Sequence, residues 1–244
     1  MTKYQEETGV DLFDKCFKSI TRKQALEYRI SGKAVRMDSK LISSNIAWFS
    51  RYEIIHETLM QQVSKSEIES IEDQLIRQQA LDSYEEDAQK TVYRTDSETM
   101  KKRLLTLGIV IDYILTHSPE DSKPLLSRVF NEQYNKAEDG TVTVRDKKLI
   151  SAKSVQNPND PDAHYRSKAG NKVKGFSTNI TETCDEENKP NLITDVEVEG
   201  ATTADNTYVE SGVKGTEDVT GNKVDTLYCD GAYQSEDNRK FADK

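Results

Sequence analysis

Two aspartates, each following a short run of β-forming residues, are the side chains of this sequence best placed to do chemistry. Asp230 ends the run VDTLYCD and is followed by Gly231, which favours the end of a strand. Asp38 ends the run AVRMD in the same way. If the two strands are neighbours in one sheet, their carboxylates meet at one end. Carboxylates are hard oxygen ligands, so the pattern predicts a site for a divalent cation.

Each aspartate also has a purely structural interpretation. An Asp-Gly dipeptide after a strand is a common turn in any protein. Asp38 by itself is equally suited to capping a helix that begins near Leu41. The metal hypothesis therefore depends on both aspartates and on the elements that bring them together.

The first half of the sequence predicts one helix, one strand and a helical block. Residues 11–29 carry apolar side chains at helical spacing and precede a strand at Ala34–Asp38. Residues 46–136 favour about four helices with short connections. The capping signals of that block are Ser66 with Glu69, Thr95 with Glu98, and Ser118 followed by Pro119.

The second half favours strands. A short strand is expected at 141–145, and the run NPNDPDAH at 157–164 is too rich in turn formers for regular structure. After it we expect an antiparallel hairpin (173–182 and 191–199), a helix over 204–213 capped by Thr202 or Thr203, the strand leading to Asp230, and a helix from Ser235 to Lys244. Three regions follow from this order: 1–45 with the first strand, 46–136 as a helical insertion, and 137–244.

Without the helical block, the order of elements is strand, hairpin, helix, strand and helix. It is similar to the order in the ribonuclease H-like fold, a mixed sheet of three antiparallel strands and a parallel fourth. A right-handed crossover would place the strand of Asp230 beside and parallel to that of Asp38. We therefore expect an α/β fold of this type, with a large all-helical insertion after the first strand.

The charge is unevenly distributed around a net value of -9. Between Arg145 and Lys174, eight lysines and arginines face three acids, whereas Thr181 to Thr220 contains eleven acids and two lysines. A basic segment beside an acidic site suits a phosphate backbone. Mixed solvated charge is the alternative. The candidate nucleic-acid contacts are Arg166, Lys168, Lys172 and Lys174.

The cysteines and the apolar runs indicate a cytoplasmic protein without a membrane segment. Cys16, Cys184 and Cys229 are odd in number and form no CxxC pair, which argues against a disulfide framework and a structural zinc site. The most apolar run, at 104–115, is too short to cross a bilayer. The amino-terminal residues lack the apolar core of a signal peptide.

Three segments resemble the DDE transposases of bacterial insertion sequences: VRMDSKLISSN around Asp38, the run from Asp160 to Glu199 that begins DPDAHYRSKAG, and LYCDGAYQS around Asp230. The resemblance implies a metal-dependent enzyme that cuts transposon ends and joins them to target DNA. Asp38 and Asp230 match the first two catalytic acids of that family. Two Mg²⁺ or Mn²⁺ ions, double-stranded DNA and a homo-oligomer are the implied cofactors and partners.

The sequence departs from this family at its third acid, a glutamate on a later helix. Glu236 and Asp237 follow Asp230 too closely to match it, so we expect a fragment or a truncated copy. Two other functions therefore stay open. One is a catalytically inactive transposase remnant that binds DNA or associates with itself, and the other is a ribonuclease H-like nuclease with a helical insertion.

Overall fold

A computed structural model describes residues 7–168 and 170–243. The chain divides into two compact units. Unit 1 contains the residues up to Ile42 and those from Phe176 onward, and unit 2 is Ser43–Gly175. The predicted helical block 46–136 lies within unit 2. The predicted end of the last helix, Lys244, falls outside the described residues.

The described elements are, in chain order, α1 (Leu12–Tyr28), β1 (Ala34–Ser43), α2 (Arg51–Gln62), α3 (Lys65–Glu69), α4 (Gln74–Glu85), α5 (Ala88–Arg94), α6 (Ser97–His117), α7 (Pro124–Gln133), β2 (Tyr134–Lys136), β3 (Val142–Val144), β4 (His164–Lys168), β5 (Asn171–Thr183), β6 (Ile193–Gly200), α8 (Val209–Thr220), β7 (Thr226–Tyr228) and α9 (Glu236–Ala242). Three 3-10 turns lie at Lys147–Leu149, Asp205–Tyr208 and Gly231–Tyr233.

Unit 1 is built around a mixed sheet in which β6, β5, β1 and β7 are neighbours in that order. The pair β1 and β7 is parallel, and the other pairs of the sheet are antiparallel. The expected hairpin of β5 and β6 is confirmed, with a register running from Phe176 opposite Gly200 to Glu182 opposite Ile193. The α/β class and the mixed sheet are thus as the sequence predicts.

The first strand is longer than expected, and Asp38 does not end it. β1 continues to Ser43, because its pairing with β5 extends beyond Asp38; the amide of Ser44 still donates to the carbonyl of Lys174 at 2.9 Å. The prediction that Asp38 marks the exit of this strand was wrong. Periodicity alone underestimated the strand because KLIS also fits the start of a helix.

Unit 2 packs its helices around a hydrophobic core drawn mainly from α2, α6 and α7. The expected helix-rich block is present, but it contains six helices, α2 to α7, because short helices separate the longer ones. The two-stranded sheet of β2 and β3 contains the strand expected at 141–145. The hairpin of β4 with the first residues of β5 also lies in this unit.

The predicted caps were wrong in position, because neighbouring residues compete for the same role. The sequence SKSEIE contains two overlapping capping boxes, and the structure uses Ser64 with Glu67 instead of Ser66 with Glu69. Asp96, and not Thr95, caps α6. Proline does begin the next helix, but at Pro124.

The helix expected over 204–213 starts later. It consists of the 3-10 turn Asp205–Tyr208 followed by α8, and neither begins with a side-chain cap from Thr202 or Thr203. The final helix begins as predicted, because Ser235 caps α9 by accepting the amide of Asn238 at 3.1 Å.

Candidate active site

The two aspartates lie on neighbouring, parallel segments of unit 1. β1 pairs with β7 so that Ala34 lies opposite Thr226 and Arg36 opposite Tyr228. Continuing this register by two residues brings Asp38 level with Asp230, although β7 itself ends at Tyr228. Neighbouring strands are about 4.8 Å apart, so a register continued to this level would leave the two residues about one strand spacing apart, a separation that one ion could bridge.

Asp38 stands on the face of the sheet opposite Met37, which we call the open face. Its neighbours on that face of β1 are Arg36 and Lys40, all three exposed, whereas Met37 is 4% exposed on the opposite face. A shallow groove of ≈ 490 Å³ passes beside Asp38 between β1 and β5. The groove also contains Thr178, Ile180 and Glu182, and Glu182 forms an ion pair with Arg36 at 2.7 Å.

Asp230 is positioned by the turn that follows β7. Its carboxylate accepts the backbone N–H of Ala232 at 2.7 Å and thereby caps the 3-10 turn Gly231–Tyr233. One oxygen of Asp230 therefore has the turn-forming role that the Asp-Gly dipeptide predicts. A carboxylate that accepts one hydrogen bond retains lone pairs for a further ligand.

Tyr233 connects the two aspartates electrostatically. Its ring is 2% exposed, and its hydroxyl donates to Oδ1 of Asn179 at 2.8 Å. The pKa of Tyr233 is raised to about 12, chiefly by burial; a hydrogen bond with Ser39 opposes the rise, and the negative charges of Asp205, Asp38 and Asp230 add to it. All three carboxylates thus lie close enough to act on one hydroxyl.

Asp205 is the residue of this region that sequence reasoning missed. It begins the 3-10 turn before α8, is 8% exposed and accepts the hydroxyl of Ser39 at 2.7 Å through Oδ1. The only signal for it was an acid between a strand and a helix. The sequence pattern instead predicted that Thr202 or Thr203 caps the helix at this point.

The carboxylates of Asp38 and Asp230 are ligands of the type that magnesium prefers. Mg²⁺ is commonly held by one or two carboxylates, with water and substrate phosphates completing its octahedron. Asp38 and Asp230 supply such a pair. Within residues 7–168 and 170–243, no group of three or more histidines, cysteines or acids is arranged to hold a metal ion.

The four basic residues lie on the hairpin of β4 and β5 in unit 2, and its register divides them between two faces. Residues directly opposite each other share a face, so Arg166 stands with Val173 and Lys168 with Asn171. Lys172 and Lys174 occupy the other face. Sequence spacing could not show this division.

Lys174 has a different environment from Lys168 and Lys172, which are exposed. It is 7% exposed, and its ammonium lies 5.0 Å from the centre of the Trp48 ring and donates to the carbonyl of Phe49 at 3.4 Å. Burial lowers the pKa of Lys174, and the charge of Glu53 opposes this shift. Its contacts are those of a residue that holds the hairpin against the segment before α2.

Comparison of the chain with protein-family models, curated proteins and solved structures finds no match in any of the three. Across the described residues, no helix is both long and apolar enough to cross a membrane.

Proposed function

We propose that this chain performs metal-dependent phosphodiester chemistry on DNA, as the catalytic core of a transposase that cleaves transposon ends and transfers them to target DNA. The observation that carries the proposal is the parallel register of β1 and β7, in which Asp38 and Asp230 share one level on neighbouring segments. The strand order β6, β5, β1, β7 supports a ribonuclease H-like reading of the sheet.

Asp38 and Asp230 are the residues that would hold the ions. Bound divalent cations would stabilise charge on the attacking and leaving oxygens of an in-line displacement. The two carboxylates are fixed differently. Asp38 is held by β1, which lies between β5 and β7 in the sheet, and Asp230 is held by the turn that its own oxygen caps. Neither needs to act as a nucleophile.

Metal binding is the first test. We expect Mn²⁺ or Mg²⁺ to raise the melting temperature of the wild-type chain, and Asp38→Asn and Asp230→Asn each to abolish that rise. Asp225→Asn is the matched control, because Asp225 is an exposed acid immediately before β7, at the opposite end of that strand from Asp230. If neither metal changes the melting temperature of the wild-type chain, the proposal is contradicted.

Strand joining is the second test, since it separates a transposase from a nuclease of the same fold. A supercoiled plasmid is incubated with the chain, Mn²⁺ and a short duplex carrying a free 3′-hydroxyl. A transposase joins the duplex to the plasmid, and Asp38→Asn lowers joining by about 100-fold or more. Nicking without joining favours the nuclease.

The second candidate function is a catalytically inactive remnant that binds DNA or associates with itself. It is favoured by the hydrogen bond from Ala232 to Asp230, because a capping role alone explains an aspartate at this position. Asp230→Asn distinguishes the two. An asparagine oxygen still accepts the amide of residue 232, so a remnant keeps its stability and its DNA affinity.

A further inference from the structure

Around β5 and β6, the sheet of unit 1 buries polar side chains on its covered face and exposes aliphatic side chains on its open face, the reverse of the usual arrangement. Ser177, Asn179 and Thr181 of β5 are at most 1% exposed on the covered face. The open face instead carries branched aliphatic side chains that are about half exposed: Ile180 40%, Ile193 42%, Val196 43% and Val198 57%.

The register makes these aliphatic side chains one continuous surface. Ile180 lies opposite Val196, and Thr178 lies opposite Val198, so the side chains of β5 and β6 meet on the same face. Beside them, β1 contributes Arg36, Asp38 and Lys40. The open face thus comprises the outward residues of β6, β5 and β1. Contiguous exposed aliphatics of this kind mark an interaction surface in a soluble protein.

The edge of the sheet is a poor alternative place for association. β6 carries Asp195, Glu197 and Glu199 in alternation with its valines. Two copies of β6 paired side by side would bring these carboxylates together across a two-fold axis, and like charges directly opposite are destabilising. The apolar side chains point outward from the face, so a partner gains most by packing on the face.

We propose that the open face binds the open face of a second copy of this chain. The charges of β1 are self-complementary in that arrangement. A two-fold axis running across the strands at the level of Ser39 sets Asp38 against Lys40 of the partner subunit and stacks the outward valines of β6 on their counterparts. No ion pair joins Asp38 or Lys40 to another residue within 7–168 and 170–243, so both charges are available for this contact.

The size of the face sets the strength of the dimer. Three strands, seven residues long, present roughly 330 Å² in projection at about 4.8 Å between strands and about 3.3 Å per residue. A standard interface buries about 800 Å² per partner. The dimer is therefore weak and reversible, and the concentration series must extend to about 1 mM.

The test is sedimentation equilibrium of the full chain from about 10 µM to 1 mM, with EDTA present so that no metal competes for Asp38. We expect a monomer–dimer equilibrium in the wild-type chain. Val196→Lys places a charge among the exposed aliphatic side chains of the face and should raise the dissociation constant at least about tenfold. Leu26→Lys, at a 74% exposed position of α1, is the matched control and should leave the equilibrium unchanged.

Reciprocal charge changes test the two-fold geometry. Asp38→Lys and Lys40→Asp should each raise the dissociation constant about tenfold, and the double variant should restore it to within about threefold of the wild-type value. Circular dichroism and melting temperature establish that each variant is folded. A chain that stays monomeric to 1 mM overturns the proposal, as does a dimer that Val196→Lys leaves intact. Neither result bears on metal binding, which is measured on dilute chain.

Discussion

The two units bury different kinds of side chain. In unit 2, twenty buried apolar residues, from Tyr52 to Val155, form one cluster. In unit 1, the corresponding cluster has five buried members, Met37, Tyr208, Val209, Val213 and Tyr233. Its strands β5 and β6 instead bury serine, threonine, asparagine and aspartate side chains on the covered face of the sheet. The hydrophobic effect therefore contributes more to unit 2, and hydrogen bonding and close backbone packing contribute more to unit 1.

The polar interior of unit 1 is only partly paired. The hydroxyls of Thr194 and Thr216 are 2.6 Å apart, and Tyr208 donates to the carbonyl of Ser177 at 3.2 Å. Oδ2 of Asp195 and Oγ1 of Thr181 have no hydrogen-bond partner among the described protein atoms. Unpaired buried polar atoms lower stability. The unit that holds the two candidate acids therefore relies less on a hydrophobic core than the other unit does.

The largest expected effect comes from the core of unit 2. Leu107 on α6 is fully buried, and Leu107→Ala removes its contacts and leaves a cavity, so we expect a loss of about 3–5 kcal/mol in the free energy of unfolding. Leu105→Ala, on the same helix at 36% exposure, should cost far less. Urea denaturation followed by circular dichroism measures both. Equal losses would contradict the assignment of this core.

The close packing of α8 on the sheet predicts the next effect. A Cβ atom at Gly212 would lie 2.4 Å from Oγ1 of Thr181 and 2.6 Å from Cε of Met37. Gly212→Ala should therefore destabilise unit 1 by about 1–3 kcal/mol, even though alanine favours a helix by about 1 kcal/mol. Gly231→Ala, which meets nothing within 4 Å, is the control. A stabilised Gly212→Ala variant would show that α8 can move away from the sheet.

Asp195 should make the stability of unit 1 depend on pH. Its pKa is raised to about 7, chiefly by burial and also by Glu197, whereas Lys18 opposes the rise. Asp14 of α1 also raises it. The folded chain therefore holds a proton that the unfolded chain releases near pH 4, so stability falls as the pH rises from about 4 to about 7.

Asp195→Asn removes this titration. We expect the variant to gain roughly 1–2 kcal/mol over the wild-type chain at pH 8 and to show a flatter dependence on pH. Glu199→Gln, an exposed acid on the same strand, is the control for lost negative charge. Thermal unfolding from pH 4 to pH 8 measures the difference. A stability difference between the wild-type chain and Asp195→Asn that stays constant over this range would show that Asp195 does not titrate within it.

The smallest effect distinguishes the two overlapping capping boxes of α3. The carboxylate of Glu67 accepts from Lys123 at 2.8 Å and from the amide of Ser64 at 2.8 Å, and these bonds lower its pKa to about 2. Their contribution is present above the ordinary pKa of a glutamate and is lost as the pH falls towards 2. Because Glu67 is largely exposed, Glu67→Gln should cost less than about 1 kcal/mol at pH 7. Glu69→Gln should cost nothing measurable, and the reverse order would assign the cap to Ser66.

The sequence by itself determined the elements whose signals are local. The helical spacing before Arg29, the strand at 142–144, the hairpin strands β5 and β6 and the start of a helix at Ser235 were all visible in the order of residue types. The pairing of the two hairpin strands also followed, because it needs only a short connection. Local signals failed where two neighbours offered the same chemistry, as at Ser64 and Ser66.

Only the tertiary structure decided what depends on residues far apart in sequence. The extension of β1 past Asp38 requires β5, and the role of Asp205 requires Ser39, 166 positions away. The reversal of polarity across the sheet likewise emerges only when β1, β5 and β6 are paired. A sequence pattern records which residues alternate, but it does not record which face the helices cover. That choice is made by packing, because the free energy of burial depends on the partner surface and not on the strand alone.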